Sequence, residues 1–324
     1  MKVLVIGRDP NLFKENSEAL RRAKEYAGLF EEYHIISVGT RGDRFSSGNF
    51  YLWPTGTLSL FFSWIKAIFL GMKITKKHNI QLVDAQDAGE AGVAAFLLSK
   101  IAGVPFRIQV HTDIFSSLYR RISWKERLRW ILAKFLIPRA SCIRVVSERV
   151  KNSILQASDL KSRANITVLP IFTDISKFQN AAKDPQTEER FKDYDFKMIA
   201  VGRFVDKEKN FSMLIEMMHD FARVCPKALL VLVGDGPDRE KYKLRIKKYG
   251  LERCVILEKV LPENLPSFLK IFDVFLLSSN YEGWGRVVVE AMASGLPVVM
   301  TDVGLAGEVL LDGENGYVVP VGDT

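Results

Sequence analysis

Histidine and cysteine are both scarce in this chain, with four and three among 324 residues. Cys142, Cys225 and Cys254 are odd in number and scattered, which excludes a disulfide framework or a thiolate metal site and reads as reduced, structural thiols of a cytoplasmic protein. His34, His78, His111 and His219 lack metal-ligand spacing, and no DxD pair is placed at a strand end to hold a divalent ion. A signal peptide is not expected, because MKVLVIGRDP runs straight into a strand, and there is no apolar run of transmembrane length. The nearest approach, LSLFFSWIKAIFLGM from Leu58, is too short and carries Lys66, so a buried helix is expected, with a re-entrant membrane segment as the second choice. Low-complexity tracts and short-period repeats are missing too. So is GxGxxG spacing, which disfavours a nicotinamide-dependent dehydrogenase.

What is present is enough apolar residue, 48% of the chain, to fill the cores of two domains. KVLVIG, HIISV, QLVDA, FRIQVH, CIRVVS and ITVLP read as strands separated by helices over 11–29, 58–77, 88–102, 123–137 and 147–157. Such alternation predicts an α/β fold with a parallel sheet covered on both faces. A first doubly wound domain is expected over 1–175, a polar linker over 176–196 and a second such domain over 197–324. Charge is uneven. Residues 1–180 hold 27 Lys and Arg against 15 Asp and Glu, so an anionic partner would meet the first half.

The densest chemistry lies in SSNYEGWGRVVVEAMASGLPVV, where Glu282 and Glu290 stand eight positions apart across a glycine-bracketed turn into a helix. Gly283 and Gly285, flanking Trp284, let backbone amides approach a ligand, and a helix N-terminus favours a diphosphate. Glu282 in that turn would repel the anion unless its carboxylate points elsewhere, which assigns it to neutral hydroxyls. Glu290, about 8 Å further along the helix axis, suits a ribose diol. Arg203, just past a strand, and Lys209, at the mouth of the next helix, are placed to clamp phosphate oxygens; a salt-bridged loop is the other reading.

With its linked turn, small-residue helix, LPVVMTD strand and glycine-rich close, this stretch resembles the retaining glycosyltransferases of family 4, whose GT-B fold pairs two Rossmann-like domains across a cleft and carries Glu, seven residues, Glu here. The resemblance implies that Arg203 and Lys209 hold the diphosphate, Glu282 contacts the donor sugar, Glu290 holds the ribose, and backbone near Val260 meets the base. Its donor would be a nucleoside diphosphate sugar, with no other cofactor; Arg203, Lys209 and the helix start at Gly285 would stabilise the departing diphosphate without a metal, and the charge distribution suits a lipid or envelope glycan as acceptor. Family members end with further helices, one returning to the first domain. The stop at Thr324 therefore raises the expectation of a shortened chain with impaired domain closure.

His111, in QVHTDIFSS after a strand, matches the family's histidine near the donor sugar, with Asp113 secondary; a structural role is the alternative for both. Arg8, in a first loop that has only Gly7, is either an anion contact or a surface arginine. Tyr119 to Arg139 holds seven basic residues and one acidic. Trp124, Leu128, Leu132 and Phe135 form a stripe bordered by cations on both sides, suited either to an anionic membrane surface at its inner face or to packing on the protein's own sheet. Nucleic acid is not expected, because no binding motif accompanies the charge. Rival functions are a noncatalytic sugar-nucleotide or lipid-binding protein and a sugar-phosphate epimerase or phosphorylase.

Overall fold

The computed structural model describes residues 1–15, 17–56, 59–157 and 165–323. It divides into two compact units, Met1–Leu169 and Pro170–Thr324. The alternation read from the sequence is borne out in both.

In the first unit, strands β1 (Lys2–Gly7), β2 (Glu32–Ser37), β3 (Phe45–Ser47), β4 (Phe50–Pro54), β5 (Leu82–Ala85), β6 (Phe106–Val110), β7 (Cys142–Val145) and β8 (Asn165–Val168) form one sheet in the order β3-β4-β2-β1-β5-β6-β7-β8. All neighbours are parallel except β3 and β4. Helices α1 (Glu18–Ala27), α2 (Leu60–His78), α3 (Glu90–Ala102), α4 (Tyr119–Ile122), α5 (Trp124–Leu136) and α6 (Glu148–Ala157) complete it. Val3 to Ile6 are fully buried, as a central strand covered on both faces requires. The fully buried Asp84 carboxylate is paired. Asp84 of β5 takes Arg107 of β6 through Nε at 2.9 Å and Nη2 at 2.5 Å, and Gln109 at 2.6 Å. Arg144 of β7 extends the ladder to Gln109 at 2.7 Å.

Two expectations are corrected here. The apolar stretch from Leu58 is not a buried helix: α2 uses Ser63, Ala67, Gly71, Ile74 and Thr75 inward, while Phe61, 70% exposed, and Phe62, Ile65 and Phe69 face out. Small inward residues are enough, because a Cβ at Gly71 would already meet Leu98 of α3 at 2.6 Å. Residues 57–58, at the start of that stretch, lie outside the described residues. The expected linker over 176–196 instead contributes α7 (Ile175–Gln179) and α8 (Pro185–Arg190) to the second unit. Asp174 and Asp184 cap these helices, and Phe178 and Phe191 anchor them in the core, which the polar composition concealed.

The second unit orders β9 (Phe196–Val201), β10 (Ala228–Val233), β11 (Val255–Glu258), β12 (Val274–Leu277), β13 (Val298–Thr301) and β14 (Tyr317–Val319) as β11-β10-β9-β12-β13-β14, with every pair parallel. Its helices are α9 (Asp206–Lys209), α10 (Phe211–Val224), α11 (Arg239–Tyr249), α12 (Leu265–Leu269) and α13 (Arg286–Ala293). One core joins Met198, Phe204, Phe211, Leu230 and Tyr242. Among the described residues, no helix is long and apolar enough to cross a membrane.

Candidate functional site

In the second sheet the chain winds outward from β9 in one direction to β11 and from β12 in the other to β14. A doubly wound sheet of this order opens a crevice where the winding reverses, outside the carboxyl ends of β9 and β12. The loops leaving those two strands carry Arg203 and Ser278 to Gly285.

Local packing brings these loops together. Gly202 follows β9, and a side chain there would meet the Lys209 stem, whose Cδ lies 3.3 Å from an ideal Cβ. Lys209 closes α9, where Asn210 turns the backbone left-handed at φ 48° before α10. Its ammonium pairs directly with the Glu282 carboxylate, which also accepts from Ser279 Oγ at 2.9 Å. Three further bonds clasp the β12 loop onto α9: Asn280 N to Glu208 O at 2.8 Å, Asn280 Nδ2 to Lys207 O at 3.1 Å, and Ser278 Oγ to Lys209 O at 2.8 Å. Arg203 is 70% exposed and donates to Glu208 at 2.6 Å. Both cations are therefore held in ion pairs, and the Glu282 carboxylate is directed at Lys209.

Gly285 caps α13 at φ 89°, a left-handed conformation that favours glycine. No side chain caps α13, and Val288 N returns to Gly285 O at 2.8 Å. Trp284 is buried beside Gly283, and its indole N–H has no partner among the described residues. The Trp284 carbonyl accepts from Leu305 N at 2.9 Å, which fixes the turn. Glu290 is buried one turn into the helix, and Arg286 donates to its Oε1 at 2.7 Å. Val260 follows β11, beside Lys259, which reaches across to Asp235 at 3.0 Å. That lysine pulls the exposed Asp235 carboxyl below its ordinary range. Sequence reasoning missed Ser279 and Asn280 as organisers of the loop, although both stand in the quoted motif.

The first sheet reverses its winding between β1 and β5, and a cavity of 300 Å³ lies at that end. Its lining includes Arg8, Leu60, Trp64, His111, Tyr119 and Arg129. Burial, with Arg144 and Arg22 adding repulsion, lowers the His111 pKa to about 4, so the imidazole is neutral near pH 7. Asp113 is outside the lining: its Oδ1 accepts from Ser153 Oγ of α6 at 2.6 Å and from Ser116 N at 3.1 Å, and burial raises its pKa. Arg129 makes a bidentate pair with Glu90, at 3.1 and 3.0 Å.

Folding also gathers Glu32, His34 and His78, which spacing gave no reason to group. Trp53 Nε1 donates to His34 Nδ1 at 3.3 Å, leaving Nε2–H to donate to Glu32 at 3.0 Å. His78 Nδ1 lies 2.7 Å from the same oxygen, and Lys2 takes the other at 2.5 Å. Burial would raise the Glu32 pKa, but bonds from Lys2, His34 and His78 outweigh it and bring it to about 2. With His34 in that tautomer, the three side chains form a hydrogen-bonded knot.

Residues 19–177 match the family profile described as Glycosyltransferase Family 4, and residues 183–324 the profile described as Glycosyl transferases group 1. Alpha-D-kanosaminyltransferase of Streptomyces kanamyceticus is 26% identical over 286 residues, which cover 82% of this chain and 72% of that protein. N-acetyl-alpha-D-glucosaminyl L-malate synthase of Bacillus anthracis is 25% identical over 256 residues, covering 78% of this chain but 64% of the relative. Sucrose-phosphate synthase of Thermosynechococcus elongatus superposes with a TM-score of 0.82 at 18% identity, over 100% of this chain and 86% of that one. HepE of Anabaena in complex with UDP-glucose gives a TM-score of 0.73 at 20% identity, with the same coverage. Matched in both halves to these profiles and built as two Rossmann-like units, the chain belongs to glycosyltransferase family 4, with the GT-B fold.

Proposed function

We propose that the protein is a retaining, metal-independent hexosyltransferase that moves a sugar from a nucleoside diphosphate sugar to a hydroxyl of a lipid or envelope glycan. The observation that carries this reading is the convergence of Arg203, Lys209, Glu282 and the N-terminus of α13 at the winding reversal of one sheet. HepE has been solved with UDP-glucose, which supports a nucleotide-sugar donor without fixing the base or sugar here.

In this reading the diphosphate lies against the amides of Gly283 to Arg286 and draws Arg203 and Lys209 from their carboxylates. Charge-assisted bonds to phosphate then replace the two ion pairs. Glu282, released from Lys209, accepts bonds from the donor-sugar hydroxyls. Glu290 accepts from the ribose, Trp284 closes the turn, and backbone at Val260 meets the base. The sugar's C1–O bond to phosphate breaks as the acceptor oxygen bonds C1 on the same face, and the acceptor proton passes to the departing phosphate oxygen. His111, neutral in the first-unit cavity, hydrogen-bonds a substrate hydroxyl without adding charge. The three free thiols are in keeping with a cytoplasmic location, and residues 119–139 with an anionic membrane at its inner face.

Calorimetric titration with UDP, GDP and ADP, followed by assay of released diphosphate with acceptor mixtures, tests the proposal. One nucleotide should bind, and Lys209→Ala should weaken it. Binding without release of diphosphate in the presence of any acceptor would mark a noncatalytic sugar-nucleotide-binding protein.

A further inference from the structure

The first unit leaves a large apolar surface on one side of its sheet. There α3 packs between α2 and α5: Gly71 admits Leu98, and an ideal Cβ at Gly92 would lie 3.0 Å from Leu136. Inward positions are filled by that packing. Outward, α2 shows Phe61, Phe62, Ile65 and Phe69, α3 shows Leu97 and Ile101, and α5 shows Trp124, Leu128, Ile131 and Phe135. Ile131, rather than the expected Leu132, continues the α5 stripe, and spacings of four, three and four residues keep its members on one line. Monomeric soluble surfaces rarely gather so many large apolar side chains unless something covers them.

Charge identifies what covers them. α2 carries Lys66, Lys73, Lys76 and Lys77 and no carboxylate. Arg120, Arg121, Lys125, Arg127 and Lys134 border the α5 stripe, whereas Glu90 and Glu126, the acids of α3 and α5, are both engaged by Arg129. Aromatic side chains ringed by cations suit a surface with apolar depth and an anionic skin, where lysine and arginine stems lie along the acyl boundary.

We propose that the outer faces of α2, α3 and α5 form one docking surface for an anionic phospholipid bilayer. The helices lie in the interface rather than crossing it, since their inner faces are committed to the sheet. Leu60 is both exposed and part of the cavity lining, alongside Trp64, Tyr119 and Arg129, so the cavity adjoins this surface. It accordingly receives the head group of a membrane-borne acceptor; that clause rests on the glycosyl-transfer reading, and the docking does not.

Flotation of the whole chain with vesicles of phosphatidylcholine, with and without phosphatidylglycerol, tests it. Binding is expected to the anionic vesicles, weakened by salt, with Trp124 fluorescence shifting to the blue. The triple variant Phe61→Ser, Phe62→Ser, Phe69→Ser should lose about tenfold in partitioning. Replacing Arg120, Arg121, Arg127 and Lys134 with Ser should lose roughly fivefold per residue. Circular dichroism and nucleotide titration serve as controls for folding and for the second unit. Equal flotation of wild type and variants, no flotation of the wild type, or light scattering showing that these faces pair two copies would overturn the proposal. Flotation without nucleotide binding would keep the docking and remove the transferase reading.

Discussion

Lys209 and Glu282, 73 positions apart in sequence, form a direct ion pair in which the acid of the family motif neutralises the base assigned to its substrate. Under the proposed function, a diphosphate entering here would trade one partner for another instead of meeting a bare cation. Glu282→Ala is expected to leave nucleotide affinity unchanged or improved, because Lys209 is freed, while transfer falls by about 10²–10³. Calorimetry and diphosphate release check the two halves of that statement. Unchanged turnover removes Glu282 from the reaction.

Lys209→Met should act oppositely on affinity. Losing a charge-assisted phosphate contact is expected to weaken nucleotide binding by about tenfold or more, and Arg203→Ala by less because that side chain is largely in solvent. The order of the two effects is what calorimetry would test.

Gly234 tests the backbone that supports the site. An ideal Cβ there would lie 1.9 Å from Gly202 O, in a loop at φ 152°, whereas one at Gly250, φ 67°, meets nothing. Gly234→Ala is expected to cost about 3 kcal/mol or more and Gly250→Ala about 1 kcal/mol, read from urea midpoints.

Acid should act through His111. Its folded pKa is held down at about 4, while the unfolded residue titrates near 6.5. Between these values the unfolded chain takes up the proton and the folded chain does not, so this contribution is complete above about pH 6.5 and lost as pH falls toward 4. His111→Gln should therefore lose less stability than wild type across that window. Equal losses would refute the buried neutral imidazole.

Arg107→Met would strand the buried Asp84 carboxylate, keeping only Gln109 as its side-chain partner. A loss of about 3–5 kcal/mol is expected, with Asp84→Asn, Arg107→Met together recovering part of it. Denaturant unfolding of the three variants measures the coupling.

Most of the fold was legible because parallel strands buried on both faces read as short apolar runs, and β1 and β6 match KVLVIG and FRIQVH closely. β3 and β4 escaped because FSSGNFYLWP holds a three-residue edge strand without a clear period. The outward face of α2 was hidden for another reason: in LFFSWIKAIFLGM both faces are apolar, so periodicity cannot separate them. At the site, residue types and spacing pointed to Arg203, Lys209, Glu282 and Glu290. Their pairing, Lys209 with Glu282 and Arg286 with Glu290, was not readable, since the first depends on the sheet order and the second on a short helix's start. The Glu32 knot lay out of reach altogether, its carboxylate and His78 being 46 positions apart.

The clasp of Asn280 and Ser278 onto α9 makes the segment after β9 and the segment after β12 a single mechanical body. Whatever stiffens one segment should stiffen its neighbour, and under the proposed function the two ends of a donor would then be held by one body rather than by separate parts.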